Sequence, residues 1–429
     1  MNAIFYLLVL GAFVAAALAQ GGWNGQGAAP MAALNIAMVE SANGAVTLAL
    51  GMVGMMALFL GLMKVVEAGG GLAMLARLIR PLMVRLFPQV PGDHPAMGAM
   101  ILNIAANVLG LGNAATPFGI RAMQELDTLN PHPGTATNAM ALFLAINTAS
   151  VTLLPTGVIA LRAAAGSADP AAVLPTTLFA TVCSTAVAIL MALWLQRLFK
   201  APATGSGAGA APAVAAGAVE NPAELRAVAR GYPLGVSLLA LGGLLALVPL
   251  TIVHGARISH WLLPGFMLGL LTFGVLRRVR IYEVFVEGAR EGFDVALRII
   301  PYLVAILVAV GLFRASGALG VLVDALDGVT APLGLPGAAL PMVLLRPLSG
   351  SGAYGVMSAI IQDPAIGPDS YVGMLVCTIQ GSTETTFYVL AVYAGAVRVR
   401  NLRHALTAAL ISDLVGVVAS VAICRYLYG

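Results

Sequence analysis

A carboxylate, a guanidinium and two dense runs of hydroxyls and amides stand in this chain among residues that otherwise belong in lipid. Ile379-Gln380-Gly381-Ser382-Thr383-Glu384-Thr385 lies inside the apolar stretch 371–397, and Ile146-Asn147-Thr148-Ala149-Ser150-Val151-Thr152 inside 138–161. Hydrogen-bonding side chains at that density cost stability in hydrocarbon unless they face one another or water. An ionisable group within a span is a functional candidate by default, which puts Glu384 first. Its expected partner is Arg346, which opens Arg346-Pro347-Leu348-Ser349-Gly350-Ser351-Gly352-Ala353. Neither charge has a counterpart at the equivalent point of the earlier run, where Glu384 aligns with Val151, so the two are expected to compensate each other. The chemistry this implies is binding: amides and hydroxyls of Asn147, Thr148, Ser150, Gln380, Ser382 and Thr383 for a small polar solute. Glu384 would take a coupling ion, H+ or Na+, or touch the solute directly. A structural buried ion pair accounts for the same two charges. Asp413, in 405–424, reads better as an interhelical hydrogen bond than as a second site.

Two glycine-rich interruptions accompany these runs. Leu109-Gly110-Leu111-Gly112-Asn113-Ala114-Ala115-Thr116-Pro117 breaks the segment 96–126, and Ser349 to Gly352 breaks 338–362. Backbone left unpaired at membrane depth is tolerated only where protein or a water-filled cavity covers it. Breaks at corresponding positions of two halves are the best sequence pointer to a midplane binding site. Asn113, Thr116, Ser349 and Ser351 add donors and acceptors there, and Asn103 and Asn107, four apart, face the cluster. Close helix packing by small residues is the competing reading of the glycines. The expectation is that the two interruptions meet in one shielded pocket.

The elements that must position these residues follow from composition. Hydrophobic residues make up 60% of the 429 and charged residues 9%, against about 25% charged in a soluble domain, so most of the surface must face lipid. Uncharged apolar runs mark candidate spans at 2–20, 43–63, 138–161, 175–195, 232–253, 258–276, 299–313, 371–397 and 405–424. The fold class expected is an all-α polytopic membrane protein of about nine transmembrane helices plus two re-entrant or broken hairpins. Residues 1–20 read as a retained first span, with a cleaved signal as the alternative, since Ala17-Leu18-Ala19 resembles a processing site. The net charge of +4 is loop asymmetry rather than a nucleic-acid footprint, which needs a clustered basic face. Cys183, Cys377 and Cys424 have no metal-ligand spacing, and the soluble catalytic motifs HExxH, P-loop and GxSxG are absent. No metal, cofactor or enzyme activity is expected.

The chain divides at 200–230, an Ala-, Gly- and Pro-rich stretch that reads as a flexible linker, into a repeat at 1–199 and another at 231–429. Val39-Glu40-Ser41-Ala42 is matched by Val286-Glu287-Gly288-Ala289, Gly70-Gly71-Leu72 by Gly317-Ala318-Leu319, and the breaks and polar runs follow in the same order. Three blocks in one order indicate an internal duplication. Placing all the basic loops (Lys64 to Arg85, Arg197 to Arg230, Arg277 to Arg280, Arg398 to Arg403) in the cytoplasm requires each broken segment to be re-entrant. Five spans then separate equivalent points, the repeats are inverted, and the N-terminus is cytoplasmic. If both broken segments crossed, the repeats would be parallel.

The run Asn107 to Gly119, with Asn138-Ala139-Met140, Phe143 to Thr148 and Val158-Ile159-Ala160-Leu161-Arg162, resembles the spore maturation protein A family. Arg346 to Ala353 and Gln380-Gly381-Ser382-Thr383-Glu384-Thr385-Thr386-Phe387-Tyr388 resemble spore maturation protein B. The chain looks like a fusion of the two. Both belong to the nucleoside recognition, or Gate, group, which is distantly similar to concentrative nucleoside transporters. In spore formers the two are associated with dehydration of the spore core. The resemblance implies an inverted-repeat, hairpin-containing fold and a bacterial inner-membrane location, and it gives no substrate. The expected function is a secondary transporter or permease for a small polar or ionic solute. A non-transporting membrane scaffold or sensor using the same cavity is the alternative. The partners expected are the solute and the lipid bilayer, with no nucleic acid and with homo-oligomerisation left open.

Overall fold

A computed structural model describes residues 2–110, 112–199 and 231–429; the stretch 200–230 expected as a linker lies outside the described residues. Among the described residues the chain is helical, with one isolated β-bridge, Thr135 to Asn401. The first half comprises α1 (Asn2–Gly21), α2 (Pro30–Ala68), α3 (Gly71–Leu86), α4 (Pro95–Val108), α5 (Gly112–Asp127), α6 (Asn138–Thr148), α7 (Thr156–Ala164) and α8 (Val173–Leu195). The second comprises α9 (Leu234–Leu276), α10 (Ile281–Ala315), α11 (Ala318–Thr330), α12 (Leu340–Leu345), α13 (Gly350–Ile361), α14 (Tyr371–Ser382), α15 (Thr386–Ala396) and α16 (Ala405–Tyr428).

From α2 and α10 onwards the order of elements is the same in both halves: a long helix, an amphipathic helix, a two-helix hairpin, a helix broken in the middle, and a second long helix. The amphipathic helices begin alike, because Gly70 (φ 79°) and Gly317 (φ 78°) each turn the chain through the left-handed region, which costs a glycine no steric penalty. An offset of 247 residues carries Gly70 onto Gly317, and it carries Ser41 onto Gly288 and Lys64 onto Gly311. In the packed pair α2/α10, Gly311 sits on Ser41 and Gly288 on Lys64, so the contact recurs with its partners exchanged. The two helices run antiparallel, with Gly292 against Met56 and Ala57. Helices α8 and α16 are antiparallel as well: the Ser184 hydroxyl donates to the Ser412 carbonyl at 3.0 Å, and the Tyr428 hydroxyl to the Ala172 carbonyl at 3.2 Å.

Several expected spans are corrected. The stretches 138–161 and 371–397 are not continuous helices. Each splits at its polar run, leaving α6 and α7 of 11 and 9 residues and α14 and α15 of 12 and 11. At 1.5 Å per residue each half reaches about 14–18 Å, so two halves in series are needed to match a hydrocarbon core of about 30 Å. The stretches 232–253 and 258–276 fall on one helix, α9, and 299–313 is the second part of α10. Among the described residues three helices are by themselves long and apolar enough to cross a membrane: Pro30–Ala68, Pro170–Leu195 and Ala405–Tyr428. The first interruption is narrower than the sequence suggested. Helix α5 restarts at Gly112, so Asn113, Thr116 and Pro117 are helical.

The apolar interior forms two main cores, and they exchange elements. One is built from α3, α4, α5 and α6 and takes in Val389, Leu390, Tyr393 and Ala394 from α15. The other is built from α2, α10, α13 and α14 and takes in Val158 to Leu161 from α7. Each broken helix therefore begins in one core and ends in the other. The breaks lie where the chain passes between cores, so polar residues can gather there without leaving either core unpacked.

Candidate functional site

The two breaks meet each other. Residues 149–155 and 383–385 leave the helical conformation, and Thr383 is extended (φ −143°, ψ 169°). The amide of Glu384 donates to the carbonyl of Thr148 at 2.8 Å, closing one break on the other with backbone groups that the helices release there. Each hairpin turn in turn docks on a break. The Leu153 amide donates to the Val108 carbonyl at 3.1 Å, beside Gly110, and the Phe387 amide to the Pro347 carbonyl at 3.0 Å. The two glycine turns are thus linked indirectly, through the crossing helices (turn, break, break, turn), rather than by the direct meeting in one pocket that was expected.

Arg346 anchors the second turn to the second break. It is 6% exposed, its Nη1 donates to the Thr385 hydroxyl at 3.2 Å, and its Nη2 donates to the Thr383 carbonyl. Its Nη2 also lies 3.8 Å from Glu384 Oε2. The expected pair is present, with one correction: Glu384 is not a buried carboxylate, because its side chain is 49% exposed while that of Arg346 is 7% exposed. The carboxylate stands open next to a sequestered cation. Phe387, Tyr388 and Leu348 beside it are also exposed.

The other expected residues divide by what their polar atoms are already doing. Asn147, Thr148, Ser150, Ser349, Gln380, Ser382 and Thr383 are all buried. Asn147 accepts from Asn107 Nδ2 at 3.0 Å and donates to the Phe143 carbonyl at 2.9 Å. The hydroxyls of Thr148 and Ser382 each donate to a carbonyl three residues back, which leaves their oxygens free only to accept. Ser349 caps α13, accepting from the Gly352 amide at 3.0 Å, and lies 3.5 Å from the Ser351 hydroxyl. Ser349 and Ser351 are therefore first of all a turn and a helix start. Thr116 is drawn to the Tyr393 hydroxyl, and the side chain of Asn113 lies outside the described residues. Among the described residues, Arg346 Nε and Gln380 Oε1, two buried polar atoms at the second break, find no partner. An unpaired buried donor and acceptor each cost about 1–3 kcal/mol, which a polar solute reaching them would offset.

Two tyrosines were not anticipated. Tyr393, on α15, accepts from Asn103 Nδ2 at 3.2 Å and lies against Gly119 of α5, where a side chain would displace its ring. Tyr354, on α13, lies against Gly157 of α7 and within hydrogen-bonding reach of Gln380. The same contact, a hairpin helix on the other half's half-helix, uses Gly with Tyr in one case and Tyr with Gly in the other. Asp413 is 7% exposed and accepts from the Thr386 hydroxyl at 2.6 Å, as the interhelical reading expected. Its second oxygen has no partner.

At the ends of the broken helices, loops from the two halves are tied together. Arg162, fully buried at the end of α7, donates to the Pro368 carbonyl at 2.6 Å and to Asp369 Oδ1 at 2.8 Å. Burial alone would push Asp369 up. The Ser167 hydroxyl, the Ala168 amide and Arg162 together outweigh that and hold its carboxyl below the usual carboxylate range.

The chain matches the Gate family, described as nucleoside recognition, over residues 49–165 and 296–400, stretches that hold both hairpins and both breaks. Spore maturation protein B of Bacillus subtilis (strain 168) is 44% identical over 177 residues, 40% of this chain and 98% of that protein. Spore maturation protein A of the same organism is 42% identical over 158 residues, 37% of this chain and 81% of that protein. The two match different parts of the chain. Among solved structures, CNTnw carrying two substitutions in an outward-facing state overlays with a TM-score of 0.45 at 14% identity, covering 99% of this chain and 100% of that one. The YdaH transporter of Alcanivorax borkumensis overlays with a TM-score of 0.43 at 17% identity, covering 99% and 97%.

Proposed function

This multi-pass membrane protein belongs to the Gate, nucleoside recognition, family, and from that premise we propose that it is a secondary transporter or permease for a small polar or ionic solute. The solute would be held where the two breaks join. The observation that carries the reading is the junction itself: two broken helices from opposite halves closed by the Glu384 to Thr148 hydrogen bond, with an exposed carboxylate and unpaired buried polar atoms beside it. Such broken helices supply backbone and side-chain ligands at membrane depth. Glu384 and Arg346 would orient the solute or carry a coupling ion, H+ or Na+, and Gln380, Ser382, Thr383, Asn147, Thr148 and Ser150 would complete the contacts. The antiparallel pairing of equivalent helices supports two inverted repeats at 1–199 and 231–429. The arginine-rich loops support a cytoplasmic N-terminus in a bacterial inner membrane. Because many of the break's hydroxyls are already satisfied within the protein, a scaffold or sensor role for the same junction is the second reading.

Purified protein in liposomes tests this against nucleosides first, as the family description suggests, then organic acids, H+, Na+ and Fe2+. Flux above that of empty vesicles that disappears in Glu384→Gln is expected. No accelerated solute in the whole panel would leave the scaffold reading in possession, and unchanged flux in Glu384→Gln would remove Glu384 from the site.

A further inference from the structure

A cleft of about 400 Å³ opens at the far end of α6 from the break. Four segments wall it: the α3–α4 loop with Gln89, the α5–α6 loop with His132 and Thr137, the end of α8 with Gln196, and the α15–α16 loop with Arg403. No Asp or Glu lines it among the described residues. Arg403 donates Nη1 to the Ala136 carbonyl at 3.1 Å and to Asn138 Oδ1 at 2.8 Å, and Nη2 to the Phe199 carbonyl. All its acceptors are neutral, and its Nε is buried without a partner. Loss of water around it holds the guanidinium below its usual value. Helix α6 also starts in this cleft. Thr137 caps it by accepting from the Met140 amide at 3.1 Å, and Asn138 and Ala139, at its first two positions, line the space. Helix starts present unpaired amides and the positive end of the macrodipole. Two independent positive features, a fixed guanidinium and an 11-residue helix, therefore converge on one cavity that holds no negative group among the described residues.

The rim says what kind of anion fits. Leu129 lines the cleft and is 38% exposed, and Trp194, Leu198 and Phe199, around the lining Gln196 at the same end of α8, are exposed by 55%, 63% and 41%; Trp194 is the residue type that settles at the boundary of membrane and water. We propose that this cleft binds a phosphoryl oxyanion, supplied by the headgroup of an anionic phospholipid whose chains lie along that apolar rim, with Arg403 as its charge partner. The site is separate from the junction of the breaks and does not depend on the transport reading. It spans both halves, since the Arg400 and Asn401 amides donate to the Gly134 carbonyl at 2.9 and 3.1 Å beside it. Occupancy would brace that loop junction.

The test uses the full-length protein, purified in neutral detergent and stripped of lipid. Phosphatidylglycerol, phosphatidylcholine or inorganic phosphate is then titrated against the unfolding temperature. Phosphatidylglycerol is expected to raise it and phosphatidylcholine to leave it unchanged. Arg403→Gln removes the charge but also three hydrogen bonds, so the decisive variants are Gln89→Glu and Gln196→Glu. Each adds a carboxylate to the cleft without touching the bonds of Arg403. Each is expected to weaken the phosphatidylglycerol response at least about tenfold, equivalent to about 1.4 kcal/mol. Equal responses to the two lipids, or an undiminished response in both Glu variants, overturn the site. A response to inorganic phosphate as large as that to phosphatidylglycerol overturns the lipid as its source.

Discussion

Removing either member of the Arg346–Glu384 pair should have opposite consequences for stability and function. The carboxylate is 49% exposed and 3.8 Å from the guanidinium. Where the opening at Glu384 holds water, that attraction is about 1 kcal/mol, and exposed pairs measure roughly 0.2–1 kcal/mol. Glu384→Gln should therefore cost no more than about 1 kcal/mol, a change of roughly 1–2 °C in a chain of this length. Arg346 is a different case, because it ties the Thr383 carbonyl and the Thr385 hydroxyl to the hairpin turn from a buried position. Hydrogen bonds from a charged donor contribute about 1.5–3 kcal/mol each, so Arg346→Ala should cost roughly 3–5 kcal/mol. The structure places that cost on the lost backbone tie, since protein does not enclose the Glu384 carboxylate. Thermal unfolding of the two variants in the same detergent, followed by loss of the monodisperse elution peak, compares them directly. If Glu384→Gln falls as far as Arg346→Ala, the carboxylate is a structural partner and the reasoning that frees it for a ligand is wrong.

Two further perturbations probe the frame around the junction. Asp369 has a depressed folded-state pKa, so its contribution is complete above the ordinary carboxylate value of about 3.9 and is lost as pH falls through the lower folded value. The gap in unfolding temperature between the native protein and Asp369→Asn should accordingly be present near neutral pH and close in acid; a gap that persists in acid would show that charge is not what Asp369 contributes. At Gly292 a Cβ would lie 2.6 Å from the Met56 carbonyl oxygen and 2.7 Å from Ala57 Cα, both backbone, so Gly292→Ala must part α2 from α10 at about 1–3 kcal/mol. Gly54→Ala, on the same pair of helices but with open space around it, should be neutral or stabilising by up to about 1 kcal/mol, and equal losses at the two positions would contradict the packing described.

How far the sequence reaches is decided residue by residue. The order of elements shared by the two halves was legible because its markers, from Glu40 and Glu287 to Gly70 and Gly317, keep one spacing. The polar runs were legible because lipid makes them expensive. The helix breaks at those runs were missed, although Pro155 carried a signal: proline has no amide to donate inside a helix. The second run has no proline. Its signal was the crowding of Ser382, Thr383, Thr385 and Thr386, whose side chains compete with the helix for backbone groups. The exposure of Glu384, the pairing of Gly119 with Tyr393 and the Arg403 cleft were beyond reach. Each depends on which elements from the other half lie alongside, and periodicity within a segment carries no information about that.

The exchange of half-helices between the cores limits how such a molecule can move. Helix α7 is packed in one core while α6 lies in the other, and α15 and α14 are divided the opposite way, so neither core can shift without dragging a helix covalently attached to the other. Close-packed cores do not deform continuously, and the long pair α2/α10 approaches too closely at its glycines to slide freely. The compliance that remains is in the non-helical residues 149–155 and 383–385. A relative shift of the two cores would bend the broken helices there, at the Glu384 to Thr148 hydrogen bond and the Arg346 tie. A solute bound at this junction would touch the joints themselves, and so could favour one arrangement of the cores over another through its differential contacts alone.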